Sequence, residues 1–329
     1  MSVSAIKLIQ PGEIQGMPDD DTPLMVVMPA RQVFLDRAAR LAHLCAIHSD
    51  SGWLRFCAQL AQAQVEAMDS VLAAQDATGS SSSPSINEAL VQESFKHGMP
   101  PLSISSWQPD ARWGVTLSAL MTAMKQQPLA DGARAAVDRL SALPLADQHK
   151  QARAMLDAAE DQVAPDLAPF IGATLQLLWV HDAQGVKAFA HLHKGENGLC
   201  PVCGSHPVAS VLRVGDRDGH RYLVCSLCAS EWYAPRARCT NCDTPKEVSR
   251  LGETGESLVQ GECCDDCGGY IKIMFQSKDP QMDPVADDLA TLNLDLAMAS
   301  EGYQRTGRNL FFVTGQAETT SSELTSQHQ

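Results

Sequence analysis

The chain has 329 residues, 44% of them hydrophobic and 19% charged, and 39 acidic against 25 basic side chains give a formal net charge of −14. At roughly 100 to 200 residues per domain this suffices for two or three packed domains and excludes a disordered chain. The acidic balance argues against a general nucleic-acid binder, because neutralising phosphates takes a concentrated Lys/Arg surface, and it suits a protein-binding role.

Residues 1–22 are rich in Gly, Pro and Asp, carry the run Asp19, Asp20, Asp21, and read as a flexible tail. They lack the charged n-region, apolar run and small-residue cleavage site of a secretory signal. Residues 23–195 read as an all-α domain. Phe34, Ala38, Leu41 and Cys45 recur at helical spacing, as do Trp53, Phe56, Cys57 and Leu60, and both sets mark stripes facing a core. Cys45 and Cys57 therefore read as small apolar core residues.

Thr78 to Ser85 (TGSSSSPS) is a low-complexity linker. Helices are expected over Ile86 to Lys96, Ala111 to Gln126, Asp131 to Leu143, Ala146 to Ala164 and Leu167 to His193, with no strand pattern before residue 200. The longest uncharged apolar stretch, Leu167 to Val180, ends against His181 and Asp182 and is too short to span a bilayer. A cytoplasmic location follows as an expectation. Reducing thiol pools there make paired cysteines metal ligands before disulfides.

Eight of the eleven cysteines form four CxxC pairs, 200/203, 225/228, 239/242 and 264/267, separated by 21, 10 and 21 residues. Each cysteine of the first two pairs thus has a counterpart 39 positions on. A CxxC knuckle puts two sulfurs on one side of a tight turn, and two facing knuckles complete a tetrahedral S4 site. The expected ligands are Cys200, Cys203, Cys225, Cys228, Cys239, Cys242, Cys264 and Cys267. Sequential pairing is favoured by the repeated 21-residue spacing, with a cross-brace of 200/203 onto 239/242 left open.

Strand-like segments Val208 to Val214 and His220 to Val224 flank the turn signal Asp218-Gly219, and Glu247 to Leu251 and Ser257 to Gly261 flank Gly252 to Gly255. Each unit reads as a zinc-ribbon or rubredoxin-like fold, the first over 196–236 and the second over 237–277. Units this small cannot build much apolar core, and metal ligation is the obvious stabiliser, at roughly 10 to 16 kcal/mol apparent for structural zinc. An S4 donor set suits zinc or a mononuclear iron, and softness alone does not separate them.

In the C-terminal helical segment, 278–312, Asp283 is an N-cap, Pro284 takes the first helical position, and Asp287 and Asp288 lie in the first turn. Val285, Leu289, Leu292 and Leu296 form the stripe of a single helix, with Gly302 as its stop. Residues 313–329 read as a disordered tail. The expected fold class is α+β: a helical domain, two tandem ribbons and a C-terminal helix.

Several residues are set aside. Cys263 is a spare thiol beside Cys264, and the CxxC register favours Cys264 as ligand. His191, His193 and His206 read as packed or solvated, Trp232 and Tyr233 as packing on a ribbon, and Arg236, Arg238, Lys246 and Arg250 as a solvated face. There is no P-loop, GxSxG, HExxH or dinucleotide fingerprint, and closed S4 sites offer no coordination position to a substrate, so no enzyme is expected.

The segments CPVCGSHPVAS, GHRYLVCSLCASEWYAPRARCTNC, ECCDDCGGYIK and DPVADDLATLNLDL resemble the formate dehydrogenase accessory protein family, the FdhE type. The resemblance spans about residues 25 to 312, with its strongest motifs between Leu199 and Leu296. It implies a cytoplasmic maturation chaperone that binds the catalytic subunit of respiratory formate dehydrogenase, a molybdenum enzyme, with iron at the four-cysteine sites. All eight ligand positions of the family are present, and Cys263 is the departure. A rubredoxin-like electron-transfer protein acting on the client's cofactor is the alternative, and a zinc-ribbon nucleic-acid module is the weakest reading. Neither nucleic acid nor membrane insertion is expected, and homo-oligomerisation stays open.

Overall fold

Apolar residues at helical spacing bury one face of each N-terminal helix, and the helices close around the most apolar of them. The structure, a computed structural model, describes residues 7–9, 24–48, 51–78, 87–193, 198–236, 238–245, 248–253 and 255–312. The linker expected after Thr78, the tail at 313–329 and all of 1–22 except Lys7–Ile9 lie outside them. Helix α1 (Gln32–Ile47) buries Phe34, Ala38 and Leu41 and half-buries Cys45, and α2 (Gly52–Thr78) buries Cys57 and Leu60. Then come α3 (Glu88–Lys96), α4 (Ala111–Gln126), α5 (Asp131–Ala142), α6 (Leu145–Leu156) and α7 (Ala168–Gly185). Asn87 and Asp110 cap α3 and α4 by accepting backbone N–H bonds from Leu90 and Arg112.

Helices α2, α4 and α6 all pack on α7, which is why its sequence is apolar on every side. Among the described residues no helix is long and apolar enough to cross a membrane. Two helices are shorter than expected. The one read over Ala146 to Ala164 ends at Leu156, with Ala158 left-handed at φ 59°, and the one read to His193 gives way after Gly185 to a 3-10 helix over Lys187–Leu192.

The cysteine-rich half is a sheet built from β3 (Pro207–Leu212), β4 (Arg221–Cys225), β5 (Glu231–Tyr233), β6 (Val248–Gly252), β7 (Val259–Cys264) and β8 (Gly269–Phe275). The expected hairpins are present, and each gains a third antiparallel strand, β5 in the first ribbon and β8 in the second. The ribbons then join: β3 pairs in parallel with β8, Ser210 facing Ile273, Val211 facing Met274 and Leu212 facing Phe275. The Arg221 guanidinium crosses the junction to Glu262, both residues being buried, and Arg221 also donates to the carbonyls of Pro235 and Arg238 in the connection between the ribbons.

Among the described residues two strands precede residue 200, contrary to the all-α expectation. β1 (Lys7–Ile9) pairs with β6, and β2 (Val26–Val27) pairs with β5, at opposite ends of the strand order. Strands of two or three residues are too short to show alternation. They form because β5 and β6 otherwise present unpaired backbone groups at the sheet edges.

The single C-terminal helix is also corrected. It is two, α8 (Pro284–Ala290) and α9 (Leu292–Ser300), broken at Thr291. Asp283 caps α8 as expected, accepting from Val285 and Ala286. The break has a partner far away in sequence. Lys272, fully buried on β8, donates to the carbonyls of Asp288 and Thr291 at 3.0 Å each and to the Asp295 carboxylate at 2.7 Å. The expected stripe splits accordingly: Val285 and Leu289 are buried, whereas Leu296 is 60% exposed and Met298 faces inward instead. After α9, β9 (Gln304–Arg305) runs parallel to the start of β8.

Candidate metal centres

Each CxxC knuckle turns its two sulfurs to one side by the same local device. The residue after the second cysteine is left-handed in all four: Gly204 (φ 78°), Ala229 (55°), Asp243 (64°) and Gly268 (67°). At Ala229 and Asp243 this conformation costs roughly 1 to 2 kcal/mol, so something must hold it in place. Backbone bonds close the turns: Cys200, Cys225 and Cys239 donate to the carbonyls of Ser205, Ser230 and Thr244, each at 2.9 Å. Further N–H groups point at sulfur, from Leu227 and Cys228 to Cys225 Sγ at 3.3 and 3.4 Å, and from Asn241 to Cys239 Sγ at 3.4 Å.

The sulfurs gather in sequential pairs of knuckles, not cross-braced. Cys200, Cys203, Cys225 and Cys228 form one group and Cys239, Cys242, Cys264 and Cys267 the other, all sulfurs of a group within 4.8 Å of one another. Between facing knuckles the sulfurs stand 3.6 Å (Cys200 to Cys228) and 3.5 Å (Cys203 to Cys225) apart in the first, and 3.8 Å (Cys239 to Cys267) and 3.7 Å (Cys242 to Cys264) in the second. Sulfurs at about 2.3 Å from a tetrahedral ion stand about 3.8 Å apart, so both cups have the size of an S4 centre.

The electrostatics agree with that fit. Burial pushes the Cys200 and Cys203 thiols well up, while at Cys228 burial is outweighed by hydrogen bonds from Cys200, Cys203, Cys225 and Ser230, which pull it well down. In the second group burial raises Cys239 to about 12; at Cys267 it is overcome by the Asn241 amide and the Gly269 N–H, which bring the thiol to about 7. Each cup thus sets a lowered thiol, Cys228 or Cys267, beside raised ones. A dication removes that contrast, and either cup can hold one.

The two cups differ in surroundings. All four cysteines of the first are buried, whereas Cys242 and Cys267 of the second are exposed. A cavity of about 650 Å³ lies where the first and third knuckles approach, with Cys200, His206, Tyr233, Cys239 and Asn241 in its wall.

Three family models match this chain in succession: FdhE, N-terminal, at residues 22–196; the FdhE central domain at 199–236; and the FdhE C-terminal domain at 237–312. The chain belongs to the FdhE family. Protein FdhE of Salmonella arizonae is 34% identical over 320 residues, 97% of this chain and all of that one. The FdhE homolog of Stutzerimonas stutzeri is 34% identical over 310 residues, covering 94% and 98%. The crystal structure of the FdhE protein from Pseudomonas aeruginosa aligns with a TM-score of 0.76 at 31% identity, covering 88% of this chain and 99% of that one. The α+β arrangement is therefore an FdhE arrangement.

In this FdhE chain the residues set aside fall as follows. Cys263 points away from the cup into a small core with Tyr270 and Met298, its Sγ 3.5 Å from Met298 Sδ, and burial raises its thiol to about 12. No histidine joins either sulfur group among the described residues: His191 and His206 are exposed and His193 is buried. Trp232 is buried and Tyr233 half-buried. The basic group is more engaged than a solvated face: Arg236 donates to the Gly219 carbonyl, Arg238 faces Asp243 at 3.4 Å, and Arg250 stacks over Phe275, while Lys246 lies outside the described residues.

Sequence reasoning missed what covers the first cup. Leu102 and Ile104 donate backbone bonds to Val202 and Cys203, both at 2.9 Å, and Trp179 Nε1 holds the Leu102 carbonyl. Gln176 reaches from α7 to the Ser226 carbonyl inside the second knuckle at 2.8 Å, and Ser205 and Ser226 touch across the knuckles. A glutamine in the middle of the apolar run Leu175 to Val180 was the available signal, since a buried amide needs a partner.

Proposed function

We propose that this protein is a cytoplasmic assembly chaperone for respiratory formate dehydrogenase that engages the enzyme's catalytic subunit and holds two metal ions. One ion is held by Cys200, Cys203, Cys225 and Cys228, the other by Cys239, Cys242, Cys264 and Cys267. The observation that supports the client is FdhE kinship along nearly the whole chain. What supports the metals is the size and chemistry of the two sulfur cups. A bound ion supplies cross-links that a small ribbon core cannot, and iron would add one-electron redox.

The chain's own residues set the presentation. Four thiolates fill a tetrahedron and leave no position for a substrate, which favours a binding role over a catalytic one. The helical body fixes the first ribbon through Leu102, Ile104 and Gln176, and the shared sheet carries the second. The test is affinity purification without oxygen from cells respiring formate, with partners identified by mass spectrometry and metals counted on the same sample. Recovery of the catalytic subunit is expected, and its absence from a metal-replete preparation refutes the client.

The exposed position of Cys242 and Cys267 favours a second reading, rubredoxin-like electron transfer. It requires iron that cycles reversibly between its ferric and ferrous states. Zinc in both sites of protein purified without oxygen excludes it.

A further inference from the structure

The two cups have the same donors and nearly the same dimensions, so a difference in their behaviour must come from their surroundings. At the first, Cys200, Cys203, Cys225 and Cys228 are at most 2% exposed. The backbone of 102–104 is bonded onto the first knuckle, Gln176 onto the second, and Ser226 Oγ donates to the His206 carbonyl at 2.8 Å. The neighbouring cavity reaches Cys200 only at its wall. An incoming donor therefore finds only Cys200 of this cup at the cavity wall, and must displace the segments packed on the knuckles to reach Cys203, Cys225 or Cys228.

At the second cup Cys239 and Cys264 are buried, but Cys242 and Cys267 form an open edge. The residues beside that edge are themselves exposed: Asn241, whose amide lies 3.6 Å from Cys267 Sγ, and Asp243, Asp265 and Asp266. A closed four-coordinate ion exchanges when an incoming donor takes one position as one thiolate leaves, so access to a single sulfur decides the rate. The second cup has two exposed cysteines, the first none.

We propose that the second centre is an exchange site, where a soft ion enters and leaves through the Cys242 and Cys267 edge and can pass to a thiolate-bearing acceptor, while the first centre is locked. This rests on the ligand assignment made above. The ion keeps its charge: each metal–sulfur bond that breaks is replaced by a bond to the acceptor, and the freed thiolates take protons from water.

The test uses the full chain loaded with two zinc ions and challenged with excess of the chromogenic chelator 4-(2-pyridylazo)resorcinol. One equivalent is expected to leave roughly 10- to 100-fold faster than the other, the range over which supporting contacts tune metal sites. Iodoacetamide added after the fast phase should label the cysteines of 239–267 before those of 200–228, read by peptide mass spectrometry on the unaltered protein. Cys242→Ser should remove the fast phase and keep the slow one. Two equivalents leaving at one rate, or first labelling at Cys200 to Cys228, overturns the proposal while leaving two metal sites standing. A chain that takes up no zinc overturns the ligand assignment as well.

Discussion

The first and second ribbons share cysteine spacing, knuckle geometry and strand order, yet one sulfur group lies inside the protein and the other opens onto its surface. Position by position the contrast is chemical. Ser226, buried between the cysteines of the second knuckle, corresponds 39 residues on to Asp265, exposed in the fourth and accepting a hydrogen bond from Tyr303. Gln176 and the 102–104 backbone serve only the first. The lesson is that a metal cup is specified locally, by CxxC and a left-handed residue, while its accessibility is specified by distant segments that pack on it.

The largest test of this contrast pairs Cys203→Ser with Cys242→Ser. Each should lose one metal equivalent, and with it roughly 10 kcal/mol or more of apparent ribbon stability. Cys203→Ser should lower the melting temperature of the helices more, because unfolding the first ribbon also releases the backbone bonds from Leu102 and Ile104 to its first knuckle. Circular dichroism and metal counting read both effects, and a variant that keeps both ions breaks the ligand assignment.

Glu262→Gln comes next. It leaves the Arg221 charge, at 1% exposure, with only neutral acceptors and should cost about 3 to 5 kcal/mol in chemical denaturation. Loss of less than about 1 kcal/mol would show that strand pairing alone joins the ribbons. Ser226→Ala should cost about 1 kcal/mol and speed metal release from the first cup without altering the second. Cys45→Ala, at a half-buried site remote from both cups, should leave metal content intact and change stability by less than about 1 kcal/mol. A lost metal there would overturn the reading of Cys45 as packing.

What could be read in advance follows the same division. The four knuckles, the hairpins and the Asp283-Pro284 helix start were legible because their chemistry lies within a few neighbouring residues. The CxxC register favours Cys264 over Cys263, and the structure sets Cys264 Sγ 3.7 Å from Cys242 Sγ while Cys263 Sγ packs on Met298, as alternation along a strand requires. The break at Thr291 was hidden because its partner, Lys272, sits on β8, outside the helical segment. Strands β1 and β2 were hidden because two or three residues carry no period, and the difference in exposure between the cups because its cause lies in residues 102–104 and 176.

The three parallel rungs between β3 and β8 have a further consequence. Adjacent strands in a sheet lie about 4.8 Å apart whatever side chains they carry, so the spacing of the two cups is dictated by backbone geometry. Substitutions on the outside can retune what each cup meets without altering how far apart the two sulfur groups sit. The protein is a calliper with fixed jaws, and a partner that bridges both ribbons must match that gap.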